Sequence, residues 1–296
     1  MIKSKQERIF QLVSHLFLLL LSVSVVVPFL IMLSSSFSDE TAVLANGYSL
    51  FPREFSLDAY QYILSDSTTV LRAYGVTIFV TVAGTAASLL ITTMFAYVLA
   101  QDRLPFGRLM MFLVIVTMLF SGGLVPTYYI YTQIFHIKDT IFALIVPNLM
   151  MSAFNLILVR NYFRTSIPQA IVEAATIDGC SKFMTFVKVV LPLSLPIIAT
   201  IGLMTALAYW NDWTNSLYYM NSSKYYSVQQ VLRLMIDNVS YLQEMGVSTS
   251  GVENARIPLT TVRMAIAVVA VVPVMIAYPF FQKYFVKGIT IGAVKE

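Results

Sequence analysis

Six stretches of the chain contain no Asp, Glu, Lys or Arg: Ile9–Ser38, Ala73–Gln101, Leu109–Ile137, Thr140–Val159, Val189–Asn211 and Met264–Gln282. Each is roughly 19 residues or longer, and about 20 apolar residues in helical form cross the hydrocarbon core of a bilayer. Within hydrocarbon the backbone must satisfy its own hydrogen bonds, so a spanning segment is a helix or a strand of a closed barrel. The period-two alternation of a barrel strand is absent, which leaves helices. The sequence therefore predicts an all-α integral membrane protein with six transmembrane helices, at about residues 9–35, 74–100, 109–133, 141–160, 190–212 and 264–283. The whole chain, 1–296, reads as a single transmembrane domain. Composition agrees: 58% of the residues are hydrophobic and 11% charged, with a mean hydropathy of +0.76. A soluble domain carries about 25% charged residues. A soluble enzyme, a disordered chain and a disulfide-stapled secreted domain are all excluded. The basic residues before the first stretch also suit a signal peptide, but its apolar run far exceeds an h-region of about 7–15 residues.

Lys and Arg in the loops set the orientation of such a chain. With the N-terminus inside, the inner segments hold 12 basic and 5 acidic residues, and the outer segments 7 and 10. The net charges are +7 inside and −3 outside, so both termini are expected on the cytoplasmic side. One Cys (Cys180) and two His make a protein-built metal site improbable and exclude an internal disulfide. A net charge of +4, dispersed along the chain, gives no nucleic-acid signature.

Two loops are long. The outer loop 213–262 contains Val228, Val231, Leu232, Met235, Ile236, Val239 and Leu242 at helical spacing. An amphipathic helix is expected there, packed on the bundle or bilayer, or docking an external partner. The inner loop 161–192 reads as helix, glycine, helix. Ser166 with Gln169 three residues on forms a capping box, and the helix is expected over Pro168–Asp178. Gly179 follows as the left-handed terminating residue. A second helix, Ser181–Val190, is expected to stop at Pro192. On the first helix Ile171, Ala174, Ala175 and Asp178 share a face, with Glu173 beside it. A small apolar knob with an acidic edge suits a cleft in another protein, and equally suits a connector lying along the membrane.

Glu173-Ala174-Ala175, then Asp178-Gly179, then Leu191-Pro192, resemble the EAA motif of ABC importer permeases. Two mild departures are Val189 in place of Ile and Cys180 after the glycine. Tyr209-Trp210-Asn211-Asp212-Trp213, with Gln282–Gly288 and Gly292–Lys295, resemble the carbohydrate-uptake branch, in particular the second permease subunit of maltose-type and complex-oligosaccharide importers. The resemblance covers nearly the whole chain.

That resemblance implies a bacterial plasma-membrane, multi-pass subunit that is not itself an enzyme. No G-x-x-x-x-G-K-[ST] phosphate loop occurs, so ATP and Mg²⁺ would be bound by separate ATPase subunits, with no cofactor in this chain. The implied partners are a second homologous permease subunit, two ATPase subunits, an extracytoplasmic sugar-binding protein and the lipid bilayer. Glu173, Ala174, Ala175, Asp178 and Gly179 would form the ATPase-coupling helix. Sugars need hydrogen-bonding groups and aromatic faces, and polar groups in spans are functional candidates. Tyr209, Trp210, Asn211 and Trp213 at the end of the fifth span fit that chemistry. So do Asn148 and Asn155, seven residues apart on the fourth span and so on one face. An interfacial aromatic belt and a helix–helix hydrogen bond account for the same residues equally simply. Gly84 with Ser88 reads as a small-residue packing pair. A permease for a non-sugar solute is the alternative. An ion-coupled transporter would need ionisable groups inside the spans, and an intramembrane protease a catalytic motif; the sequence has neither.

Overall fold

The computed structural model describes residues 5–102, 104–244 and 258–293. Lys3, Arg103, Glu253, Arg256, Lys295 and Glu296, which entered the charge count, lie outside the described residues. So do Val294 and Lys295 of the C-terminal motif. The described residues form helices joined by turns and loops, with one isolated bridge, Ser38 with Phe55.

The helices follow in order: α1 Lys5–Ser36, α2 Glu40–Asn46, α3 Asp58–Leu64, α4 Ser67–Ala100, α5 Gly107–Leu119, α6 Leu124–Tyr129, α7 Phe142–Ile145 and α8 Ala153–Ser166. After these come α9 Gln169–Ile177, α10 Lys182–Thr185, α11 Leu191–Leu193, α12 Leu195–Trp210, α13 Thr214–Tyr219, α14 Val228–Glu244 and α15 Leu259–Ala293. Two π-helical turns, Ile130–Ile134 and Phe186–Val190, interrupt the α-helical pattern.

Among the described residues three helices are long and apolar enough to cross a membrane: Ile9–Ser36, Ser67–Ala100 and Leu259–Pro279. Two bent pairs raise that to five. The predicted span 109–133 is not one helix. It breaks at Phe120–Gly123, where Gly123 takes φ +83°, and its halves turn by 113°. The predicted span 190–212 is joined to the helices before it through an 81° bend at Ser194, ahead of Pro196. The predicted span 141–160 is interrupted most severely. α7 has four residues, and α8 begins only at Ala153. Pro147 has no amide to continue the ladder, and Asn148 sits in the left-handed region at φ +62°.

The chain divides into two compact units: Met1–Val70 with Leu232–Pro273, and Leu71–Val231 with Val274–Glu296. In the first unit α1 exposes nearly all of its apolar side chains, as a helix surrounded by lipid would. At its end the backbone turns through Phe37, which stacks on Phe55 and Tyr60 at 5.9 and 4.9 Å, and Ser36 hydrogen-bonds the Tyr60 hydroxyl at 2.9 Å. Asp39 caps α2 by accepting from the amides of Thr41 and Ala42. Glu40 then accepts from the amides of Thr260 and Thr261, both at 2.8 Å, and so caps the start of α15 with a carboxylate, the charge a helix N-terminus favours. Leu232 and Val239 of α14 are buried, and Arg263 donates to the Ser240 hydroxyl.

In the second unit α4 is the central strut. Its end packs with α5, α8 and α12 around Ala96, Leu99, Leu156, Val159, Phe163 and Ile201. Gly84 on α4 permits a close helix crossing: a methyl group there would lie 2.5 Å from the Tyr209 ring on α12. The small residue is needed because the aromatic ring lies directly against the helix backbone, the packing logic of membrane helices. The predicted amphipathic helix is α14, and its first turn is seated here. Val228 and Val231 are buried, and the Val228 amide donates to the Thr77 hydroxyl of α4 at 2.8 Å. Leu242 lies outside the side chains described.

Candidate functional site

The loop 161–192 is organised around α9. The expected capping box does not form, because α8 runs through Ser166 and leaves that residue helical. Ile167 is extended, as a residue before proline tends to be, and Pro168 occupies the N-cap position with no side-chain acceptor. The C-terminus is as the sequence predicts. Gly179 has φ +80°, its amide donates to Thr176 O at 3.1 Å, and the Cys180 amide donates to Ala175 O at 3.0 Å. That reciprocal pair is a Schellman motif.

The four residues expected on one face divide between two. Ala175 is buried and Val172 packs against the core of the second unit. Ile171, Ala174, Ile177 and Asp178 point outward, Ile177 with 86% of its surface exposed. Burying Ala175 brings α9 close to its own subunit; the small side chain is what allows the approach. The second helix also departs from expectation. Ser181 caps α10, the π turn Phe186–Val190 follows, and α11 continues past Pro192 to Leu193. Pro192 is tolerated because it stands in the first turn of α11.

Beside α9 lies a cavity of about 1250 Å³. Its apolar lining includes Val98, Phe163, Ile167 and Phe186, and its polar lining includes Asp102, Arg164, Glu173 and Lys182. Arg164 pairs with Asp102 at 3.2 Å, and Arg160 donates to the Leu99 carbonyl at 3.2 Å, tying the end of α8 to the end of α4. Glu173 is exposed and has no ion-pair partner among the described residues.

The candidate sugar-contacting residues are placed very differently from one another. Tyr209 is buried, and its hydroxyl donates to the Ile145 carbonyl at 2.8 Å. Trp210 is nearly buried and packs beside Tyr74, ring centres 6.2 Å apart. Asn211 is exposed and Trp213 half-buried. Asn148 and Asn155 do not share a helical face, because Asn148 stands in the break between α7 and α8. Asn148 is exposed, whereas Asn155 donates across to the Thr205 hydroxyl of α12 at 3.5 Å. Sequence reasoning missed Asn215, which is buried and donates to the Pro147 carbonyl at 3.1 Å. The only available signal was an amide a few residues beyond an apolar helix.

The turn after the third apolar stretch is held by charge. Asp139 accepts from the amide and side chain of Asn221 and from the Ser222 amide. These bonds, the Asn221 amide foremost, hold its carboxyl below the usual carboxylate range. Lys138 donates to the Tyr128 hydroxyl at 2.9 Å, and Tyr128 stacks on the buried Tyr219 at 5.6 Å.

Helices long and apolar enough to cross a membrane, joined by loops that carry shorter helices, are the architecture of an integral membrane protein. The chain belongs to the family of binding-protein-dependent transport system inner membrane components, which matches residues 4–291. It is 40% identical over 291 residues to the polygalacturonan/rhamnogalacturonan transport system permease protein YtcP of Bacillus subtilis, covering 98% of this chain and 99% of that one. It is also 40% identical over 294 residues to protein LplC of the same organism, covering 99% and 97%. Among solved structures it resembles a bacterial ABC transporter involved in the import of the acidic polysaccharide alginate. The TM-score is 0.80 at 29% identity, covering 96% of this chain and 99% of that one.

Proposed function

We propose that this chain is one permease subunit of an ATP-driven importer of oligosaccharides in a bacterial cell membrane, and that its substrates belong to the acidic, uronate-containing class. The relatives named for polygalacturonan and alginate support the substrate class. The net −3 of the outer segments opposes it weakly, since salt screens exposed charges beyond about 8–10 Å. The chain crosses six times with both termini inside, the interrupted pair α7–α8 forming the fourth crossing. The charge asymmetry of the loops supports that orientation. A second permease subunit completes the pathway, two ATPase subunits bind ATP and Mg²⁺, and an external binding protein delivers the sugar.

The observation that carries the coupling role is α9. It is anchored through Ala175, ended by a fixed turn at Gly179, and presents Ile171, Ala174, Ile177 and Asp178 outward with Glu173 exposed beside them. An element so placed transmits rigid-body motion of a docked ATPase to α8 and α12. Of the sugar-contact candidates, Asn148, Asn211 and Trp213 offer accessible polar or aromatic surface; Tyr209, Trp210 and Asn155 position them.

The test is reconstitution of the complete importer in proteoliposomes. Binding protein loaded with galacturonate oligomers should stimulate ATP hydrolysis and uptake. Glu173→Lys reverses the charge of α9, and Gly179→Pro imposes φ near −65° where the chain needs +80°. Each should lower sugar-stimulated hydrolysis within the roughly 5–150-fold range of coupling energies, with normal amounts of chain in the membrane. Unchanged uptake in both variants would refute the coupling assignment.

A further inference from the structure

The break between α7 and α8 leaves backbone polar groups open in the middle of an apolar stretch. Two carbonyls freed there are satisfied by side chains from the far end of α12 and beyond: Tyr209 takes Ile145 O and Asn215 takes Pro147 O. The Leu149 amide closes a tight turn on Pro147 O. Among the described residues the amides of Asn148 and Met151 have no protein partner. Nor do the carbonyls of Asn148, Leu149, Met150 and Met151. Asn148 and Met151 are exposed, Met151 by 48%.

Open backbone groups at membrane depth are tolerated only against protein or water, never against lipid. A break in which the Ile145 and Pro147 carbonyls are pinned by side chains, while other backbone groups have no partner among the described residues, is a polar edge held in place. It offers amide donors, carbonyl acceptors, the Asn148 carboxamide and the deformable apolar side chain of Met151. Asn215, which pins Pro147, lies two residues from Trp213, an aromatic face on the same turn. Donors, acceptors and an apolar face in one place are what a pyranose presents in complement. We propose that this break, residues 146–152 with the turn Asn211–Asn215, is the surface at which this subunit contacts the migrating saccharide. The proposal rests on the transport role argued above.

The test uses the complete reconstituted importer with Cys180→Ser in this chain, carrying either Asn148→Cys or Met151→Cys. The second variant guards against strain at the left-handed Asn148. The probe is a membrane-impermeant, positively charged methanethiosulfonate. Uptake is first measured with galacturonate oligomers, alginate oligomers and maltodextrins, and the saccharide transported is used for protection. Both cysteines should be modified, and saccharide at about ten times its Kd should slow modification about tenfold, the factor by which the free site is depleted. No modification overturns the proposal, the break then being covered by the partner permease. Modification without protection also overturns it, leaving a water-lined kink. Either result alongside saccharide uptake leaves the transport role standing. Absence of uptake of every saccharide overturns that role and this proposal together.

Discussion

Single residues decide how closely these helices approach. Gly84 and Tyr209 are the sharpest case, since a Cβ at Gly84 would fall 2.5 Å from the ring. Gly84→Ala should destabilise the detergent-solubilised protein by about 1–3 kcal/mol, the usual cost of overpacking. Combining it with Tyr209→Ala should recover part of that loss. Thermal unfolding of the two single variants and the double variant gives the coupling directly, and strict additivity would show that the ring is not the obstacle. Asp139 yields a pH prediction with a definite sign. Its carboxyl is held below the usual range by the amides of the 221–222 turn, so its contribution is complete above the unfolded carboxylate pKa of about 3.9. That contribution is lost as pH falls through the lower folded value. Amide exchange in residues 221–226 should therefore be slow at neutral pH and accelerate below about pH 4. Asp139→Asn should remove most of the acid-induced change. Gly84 was legible as a packing residue but its partner was not, and nothing in the sequence marked Asp139. Tyr209 carried the composition of a sugar contact, and only the fold, by setting Gly84 against it, shows that it is a packing pin.

At the scale of elements, hydropathy marks the apolar stretches but not how sharply each is broken. A window average sees how much apolar surface a segment has; it does not see where the hydrogen-bond ladder stops. The residues that stop it were in view: Gly122-Gly123, Pro147-Asn148 and Ser194 before Pro196. Each could equally have been absorbed as a kink, because a membrane helix can satisfy freed groups from its neighbours. α14 and the Gly179 turn were legible because each depends on local spacing alone. The outward face of α9 was half legible. Period 3.6 grouped Ala174 with Ala175, and the approach of the core then claimed Ala175. It follows that Gly179→Ala should be much milder than Gly179→Pro. A Cβ at φ +80° meets no neighbour within 4 Å, so its cost is the intrinsic left-handed penalty of roughly 1–2 kcal/mol. Transport by Gly179→Ala should remain well above that of Gly179→Pro in the same vesicles; equal losses would mean that the turn acts through something other than its backbone.

Across the whole molecule, apolar surface facing outward is the normal state, and specificity must come from a small number of polar ties. In the first unit that tie is Glu40, whose two carboxylate oxygens each take an amide at the start of α15. Glu40→Gln keeps only one acceptor oxygen and discards the charge, so it should cost about 1–3 kcal/mol. The loss should appear as early amide exchange at Thr260 and Thr261, while residues of the second unit stay protected. The same tie bears on how the chain is made. The first unit joins residues 1–70 to residues 232–273, so synthesis completes nearly all of the second unit in between. Throughout that interval the Glu40 carboxylate waits without the amides that will receive it. The loop that carries Glu40 is thus among the last to find its native contacts, and α15 acts as the latch that closes the first unit.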